Sequence, residues 1–356
     1  MLSEIGSEFW YCKNLINANH KNTYDMLEEY EIRTTLSGRT SLDMIIEDII
    51  ADKGRFKVYM PSYACHTMIE PFLYHGLKIE FYTVTFDNRL IFDFKFDNEC
   101  DVIFILNYFG YIMPEVNEIA NEQKKRGKTI IYDNTQTAFC ENHIPENADY
   151  IFTSYRKWYY TNFSTAGKRG YFKVPQYEDR FDEYIYKRNS AMDLKEKYIG
   201  GCDINKNTFL EMYSDAEKML DNNYRHYAAD RSAQAELEFL DITALRKARR
   251  KNAEVLTEGI KEFSDLLVCA FHKVNEQDCP LFVPVIIDKR HRDNLRKRLI
   301  DEKIYCPVHW PLTDIHPKGG SRDLLERELS LICDQRYDSG DMQKILNVIK
   351  GYCERI

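Results

Sequence analysis

The 356-residue chain contains no apolar run near the ~18 residues that span a bilayer, so a membrane-crossing segment is not expected. Its first residues, MLSEIGSEFWYCKNL, carry two glutamates where an export leader carries positive charge, and no apolar stretch follows them. A cytoplasmic protein is the expectation. There is no excess of basic residues either: 49 Lys plus Arg stand against 57 Asp plus Glu, a net charge of −8. That balance argues against sequence-independent nucleic-acid binding, which needs a basic footprint. The ten cysteines include no C-x-x-C pair and most lie far apart. Scattered cysteines in an intracellular chain behave as small buried hydrophobes, and no metal site is expected. Internal repeats and low-complexity segments are also missing.

What is present is ordinary globular composition, 44% hydrophobic and 30% charged, with 25 tyrosines as its one unusual count. The length allows one large domain and a smaller one. Leu42, Ile45, Ile46, Ile49 and Ile50 recur with helical spacing and predict a helix that starts after Ser37-Gly38-Arg39-Thr40 and stops near Gly54. Strands are predicted at Phe56–Met60, Lys78–Val84, Val102–Leu106, Thr129–Tyr132, Asp149–Thr153 and Gly170–Val174, with helices at Thr67–Gly76 and Pro114–Gly127 between them. Strands separated by helices imply a largely parallel α/β sheet. From Tyr177 to Lys261 the sequence turns helical and charged. A long helix over Thr243–Ile260 leads to a second, α+β region with a strand at Leu281–Ile287 and helices at His291–Ile300 and Asp341–Tyr352. The domains are therefore placed at 1–240 and 241–356.

Ligands of a doubly wound sheet bind at the carboxyl ends of its strands, and three polar clusters fall at such ends or at helix starts. Ser37-Gly38-Arg39-Thr40 reads either as a phosphate-binding helix N-terminus or as a plain N-cap with a solvated arginine. Asp133-Asn134-Thr135-Gln136 follows a strand; its carboxylate reads as a partner for a protonated ring nitrogen or a metal, or as a cap for the next turn. In Thr153-Ser154-Tyr155-Arg156-Lys157-Trp158 a lysine stands three residues after a serine, either solvated or, beside buried aromatics and a second cation, lowered in pKa to a usable amine.

An anion-binding helix start, a strand-end carboxylate and then Ser-x-x-Lys is the set that pyridoxal phosphate requires. In this order the chain resembles the fold-type I aminotransferases, and more narrowly the DegT/DnrJ-like sugar aminotransferases. Ser37–Ile46, Val58–Gly76, Asn107-Tyr108-Phe109-Gly110 and Ile130–Gln136 carry the resemblance. It implies a large, mostly parallel sheet domain plus a small C-terminal α+β domain. It makes Lys157 the lysine that takes the cofactor's aldehyde, Asp133 the partner of the pyridine nitrogen, and Gln136 a neighbour of the ring. Ser154 and the backbone N–H groups of Gly38, Arg39 and Thr40 would hold the phosphate. The residue stacked on the ring would come from Tyr63, Cys65 or His66; Asn107 would either touch the cofactor or cap its strand.

Two departures stand out. The better-known sugar aminotransferases place their serine five residues before the lysine, and they continue into a glycine-rich turn where this chain has Tyr159–Gly167. Toward the C-terminus, His309 and Trp310 lie between prolines in a rigid loop; His309 is a candidate for the acceptor pocket, and Trp310 fits the core. Glu328–Tyr337 resembles the family's strand and loop that return to the active site, and the resemblance implies a small-domain arginine that clamps the amino acid's α-carboxylate; Arg336 is the candidate, with bidentate geometry as the physical reason. The resemblance implies a homodimeric aminotransferase moving an amino group, with glutamate as donor, to a keto-sugar nucleotide used in polysaccharide or secondary-metabolite synthesis. Competing readings are another pyridoxal-phosphate reaction (dehydratase, decarboxylase or lyase) and a non-catalytic binding protein on the same fold.

Overall fold

Continuous apolar runs become the innermost strands, and the polar segments that follow them become the loops. The computed structural model describes residues 4–12 and 29–356. In chain order the strands are β1 (Ile5–Gly6), β2 (Tyr30–Thr35), β3 (Lys57–Pro61), β4 (Lys78–Phe86), β5 (Leu90–Asp93), β6 (Val102–Leu106), β7 (Thr129–Asp133), β8 (Tyr150–Ser154), β9 (Ser164–Arg169), β10 (Leu267–Cys269), β11 (Val283–Ile287), β12 (Ile304–Tyr305) and β13 (Glu328–Leu331). The helices are α1 (Gly38–Lys53), α2 (His66–Tyr74), α3 (Pro114–Lys125), α4 (Asp182–Ile199), α5 (Lys206–Asn222), α6 (Arg231–Glu238), α7 (Ile242–Ile260), α8 (Lys289–Asp301), α9 (Arg322–Arg327) and α10 (Ser339–Cys353). Strands alternating with helices give the α/β architecture that the sequence implies.

Two units partition the chain. Among the described residues, the first comprises 8–12, 29–54 and 150–242, and the second 4–7, 55–149 and 243–356. In the second unit the sheet strands run in the order β7-β6-β3-β4-β5. All are parallel except β5, which returns on β4 as a hairpin. Every residue of β6 and β7 is buried, the pattern of parallel strands covered on both faces. The same unit holds the antiparallel sheet β10-β11-β13 and the short parallel pair β1-β12.

In the first unit the order is β2-β9-β8, and both pairings are antiparallel. These antiparallel pairs are exceptions in a sheet expected to be largely parallel. The structure also moves the strand predicted at Gly170–Val174 to Ser164–Arg169. Carboxylates satisfy the amides of the later segment: Phe172 N–H donates to Glu31 Oε2 at 2.6 Å, and Val174 N–H to Asp48 Oδ1 at 3.3 Å. With its donors taken by side chains, 171–174 has no ladder to join. Helices α4 and α5 pack against one another, as the charged helical stretch predicted. Six of the ten cysteines (100, 140, 269, 279, 306 and 333) are buried.

One glycine ties two distant loops of the second unit together. Gly110 has φ +83°, and a Cβ there would lie 2.0 Å from the Cys279 carbonyl oxygen. The chains touch because Cys279 N–H donates to Gly110 O at 3.0 Å and Leu281 N–H to Phe109 O at 2.8 Å. Gly127 shares the left-handed backbone (φ +76°) but has open space around it. Gly127→Ala is therefore expected to cost only the left-handed strain, about 1–2 kcal/mol. Gly110→Ala adds a backbone collision, so its cost should reach roughly 3 kcal/mol or more. Urea midpoints of the two variants check this; equal midpoints would show that the Cys279 loop moves aside freely.

Candidate active site

The helix start predicted to hold phosphate lies in the first unit. Ser37 is extended (φ −149°) and caps α1, its Oγ accepting the Thr40 N–H at 3.2 Å. Gly38 is the first helical residue, and it lies directly against Ser154: a Cβ at position 38 would come within 2.9 Å of the Ser154 Cβ. The structure thus brings these two predicted phosphate residues together. The side chains of the next two residues turn inward. Arg39 pairs with Asp221 at 2.6 Å and lies 5.0 Å over the Tyr224 ring, while the Thr40 hydroxyl donates to the Tyr224 carbonyl at 2.6 Å. What this corner offers an anion is backbone amides and the positive end of a helix dipole.

Ser154 ends β8, and Lys157 closes the single 3₁₀ turn that follows, with its side chain exposed. The turn is braced by ion pairs whose arginines are the more buried partners. Arg156 pairs with Glu217 at 2.6 Å; Arg188 pairs with the same carboxylate at 2.9 Å and with Glu8 at 3.2 Å. Burial pushes the Glu217 carboxyl up, but Arg156 and Arg188 outweigh it and hold the pKa at about 2, with a further pull from Lys157. Glu8 is likewise held below the usual carboxylate range: burial raises it, and Arg188 more than offsets that. Arg156 is therefore a paired, structural cation and not a solvated one. After the lysine, Trp158, Tyr159 and Tyr160 are all buried, with the two tyrosine rings 3.8 Å apart.

The second unit carries the other half of the predicted set. Parallel pairing of β6 and β7 sets Leu106 opposite Asp133, so the loops leaving both strands start at the same sheet edge. Asp133 is 1% exposed, and its Oδ1 accepts the Thr135 N–H at 2.8 Å. Gln136 Oε1 accepts the Phe109 N–H, which joins the two loops. Asn107 has both ends of its amide occupied: Oδ1 accepts the Met113 N–H at 2.8 Å, and Nδ2 donates to the Tyr132 hydroxyl at 3.0 Å. The capping alternative describes its geometry. Tyr63 is fully buried, with the rings of Trp310 at 5.0 Å and Tyr108 at 5.1 Å, and belongs to the core with Trp310. Cys65 and His66 remain half-buried at the β3–α2 junction, where Cys65 Sγ accepts from the Thr67 hydroxyl at 3.2 Å.

Solved structures reproduce this architecture over nearly the whole chain. PseC of Helicobacter pylori, an aminotransferase involved in the biosynthesis of pseudoaminic acid, is 12% identical, covers 93% of this chain and 89% of its own, and superposes with a TM-score of 0.66. The putative sugar aminotransferase Spr1654 of Streptococcus pneumoniae, solved in its PLP form, is 13% identical over 93% and 88%, with a TM-score of 0.63. A DegT DnrJ EryC1 StrS aminotransferase from Brucella abortus is 16% identical over 92% and 87%, with a TM-score of 0.60. The fold is that of the sugar aminotransferases. No protein-family model matches the chain, and no curated protein matches it by sequence.

On this aminotransferase fold the C-terminal candidates meet protein partners. Arg336 is 2% exposed at its side chain, and its fork is filled by Asp334: Nε to Oδ1 at 2.9 Å and Nη2 to Oδ2 at 2.8 Å. A substrate carboxylate would have to displace Asp334 to be clamped there. His309 Nδ1 lies 2.8 Å from the Ser330 hydroxyl, and its backbone N–H donates to Glu328 at 2.5 Å. Glu328 and Ser330 lie in the stretch that resembles the family's returning strand, where the sequence assigns a role to Arg336 alone; Glu-Leu-Ser on a strand puts both on one face. Asp43, Glu47 and His226 are spaced to share a cation. Arg225 already holds that place, bonded to Asp43 at 2.9 Å and also to Glu47.

The lysine turn yields a pH test. A carboxylate whose folded pKa lies near 2, below its ordinary value of 4.5, stabilises the fold above about pH 4.5, and that contribution fades as pH falls toward 2. Glu217→Gln should therefore lower the melting temperature at pH 7. The gap from the parent should narrow steadily between pH 5 and pH 2. A gap that stays constant across that range would mean Glu217 contributes no charge–charge stabilisation.

Proposed function

We propose that this chain is a pyridoxal-phosphate-dependent aminotransferase, with Lys157 as its catalytic residue. The observation that carries the reading is the contact of Gly38 with Ser154, three residues before Lys157: a corner that a single Cβ would fill, formed by a helix N-terminus and a strand end. The donor set suits a phosphate, since backbone N–H groups and a hydroxyl bind an anion without a buried countercharge. Asp133, buried at the end of a parallel strand, suits a protonated ring nitrogen. Ser154 with the Gly38, Arg39 and Thr40 amides would hold the phosphate, and Gln136 and Cys65 would border the ring.

Bound pyridoxal phosphate supplies an electrophilic aldehyde and an electron-withdrawing ring. The Lys157 amine, exposed at the end of its turn, would hold that aldehyde in the resting enzyme and afterwards act as general base and acid. Its Nζ takes the proton from Cα of the amino donor and returns one to the product. Glutamate as donor, a nucleotide-linked keto sugar as acceptor, polysaccharide or secondary-metabolite synthesis and a homodimeric, cytoplasmic enzyme follow from the resemblance; the sugar aminotransferases among the neighbours in fold support the sugar substrate class alone. Residues 1–240 and 241–356 would act as its large and small domains, and His309 would line the acceptor pocket.

Borohydride reduction of the purified protein after incubation with pyridoxal phosphate is expected to leave one modified peptide, carrying Lys157. Lys157→Ala should abolish the adduct, and nitrogen from ¹⁵N-glutamate should appear in the amino sugar formed from a nucleotide-linked keto sugar only with the parent protein. An adduct on a different lysine would overturn the assignment.

A further inference from the structure

A hydrogen-bond chain in the second unit joins His309 to two polar side chains on β13. Glu328 and Ser330 stand two apart on β13, on the same face, and both are completely buried. The Ser330 hydroxyl is bonded to Glu328 Oε1, His309 Nδ1 lies 2.8 Å from Ser330 Oγ, and the His309 backbone N–H donates to Glu328 Oε2 at 2.5 Å. Around the imidazole are the rings of Phe282 at 4.9 Å, Phe109 at 5.5 Å and Trp310 at 5.6 Å, none of them charged.

We propose that Glu328 and Ser330 are positioning residues that set the tautomer of His309, so that protonation of Glu328 decides whether Nε2 presents a lone pair or an N–H. Counting hydrogens gives the reason. A carboxylate only accepts, so the single Ser330 hydrogen goes to Glu328, and Ser330 Oγ must accept from the ring. His309 then carries its hydrogen on Nδ1, and Nε2 is bare. In the acid form, Oε2 still receives the His309 N–H, so the acid hydrogen sits on Oε1 and is donated to Ser330 Oγ. The Ser330 hydrogen turns to Nδ1, and the neutral ring bears its hydrogen on Nε2.

The two states differ by one proton, and the balance is complete. A proton arriving at Nε2 forms an N–H bond there; the Nδ1 hydrogen passes to Ser330 Oγ, and the hydroxyl hydrogen passes to Glu328 Oε1. The ring is neutral before and after, and the negative charge on Glu328 is discharged. His309 can thus take or give a proton at Nε2 while its charge is stored out of contact with water.

Both states lie within reach of neutral pH. Burial raises the Glu328 carboxyl to about 8, against the downward pull of the Ser330 hydroxyl, the His309 N–H and Arg292. Arg292 comes from α8, where it also pairs with Asp293. The other titratable groups facing Glu328 are the Tyr63 hydroxyl and the Cys306 thiol, both neutral at this pH because burial pushes their own pKa values up. The partner on β11 is Ile286, which is apolar.

The relevance of this relay to an acceptor substrate rests on the aminotransferase reading; the relay itself does not. Its test is made on the full chain with neither cofactor nor substrate, so the two can fail separately. Histidine-selective ¹⁵N NMR, with His309 assigned by His309→Gln, should show the ring as the Nε2–H tautomer at pH 7 and the Nδ1–H tautomer at pH 9.5, with a midpoint near 8. Glu328→Gln should remove the step, and the smaller change Ser330→Ala should remove it while Glu328 stays in place. A parent protein whose His309 keeps one tautomer across this range overturns the proposal, as does a step that survives in either variant.

Discussion

Pairing of β6 with β7 is the constraint on which the second unit's candidate residues depend. Both strands are buried along their whole length, so their register is fixed by apolar packing and cannot slip by a residue without turning their side chains to the opposite faces. With Leu106 opposite Asp133, the polar loops that leave the two strands begin side by side. The Gln136 side chain then reaches the Phe109 amide, and Asn107 closes the start of α3 through Met113. Gly110 extends the same constraint outward, because only a residue without Cβ lets this loop meet the Cys279 segment. Apolar residues fill β6 and most of β7, and the polar residues of this edge sit at or just beyond the ends of these strands.

The first unit achieves the same end with charge. The corner made by Gly38 and Ser154 is a contact between a helix start and a strand end, and hydrophobic packing alone would not orient it. Thr35, Ser41 and Ser164 link β2, α1 and β9 through buried hydroxyl bonds of 2.6 and 2.9 Å. Guanidinium–carboxylate pairs then hold the lysine turn. Paired buried charge adds less to stability than its Coulomb energy suggests, but breaking one partner leaves the other stranded, which makes the arrangement specific.

Much of this was legible in the sequence where one periodicity governed a segment. Val102–Leu106 read as a buried strand because it is apolar throughout, Thr129–Tyr132 read as the strand after the helix that closes at Gly127, and α1 read as a helix because its isoleucines recur with helical spacing. Strands β2 and β9 were harder: Tyr-Glu-Ile-Arg-Thr-Thr and Ser-Thr-Ala-Gly-Lys-Arg owe their place to each other's hydrogen bonds, and neither segment is apolar enough to announce a strand. Among the candidate residues, Gly38 and Ser154 could be named because a glycine at a helix start and a serine at a strand end have local signatures. Partners distant in sequence had none. Nothing near Arg156 points to Glu217, and nothing near His309 points to Glu328. Arg336 shows the converse: its partner Asp334 is only two residues away, yet the fork geometry that suggested a substrate clamp is satisfied by the chain itself.

Glu217 and Asp221 stand four residues apart on α5, one helical turn, and between them they grip Arg156 beside the lysine and Arg39 at the helix start. A single face of one helix therefore fastens two segments more than a hundred residues apart in the chain. Inserting or deleting one residue in α5 ahead of Glu217 would rotate that face by about 100° and release both grips together. Evolutionary change in this family of contacts is thus tied to the length of a helix that itself bears none of the candidate chemistry: the arginines can drift only in step with two acids, and α5 can accept substitutions far more readily than indels.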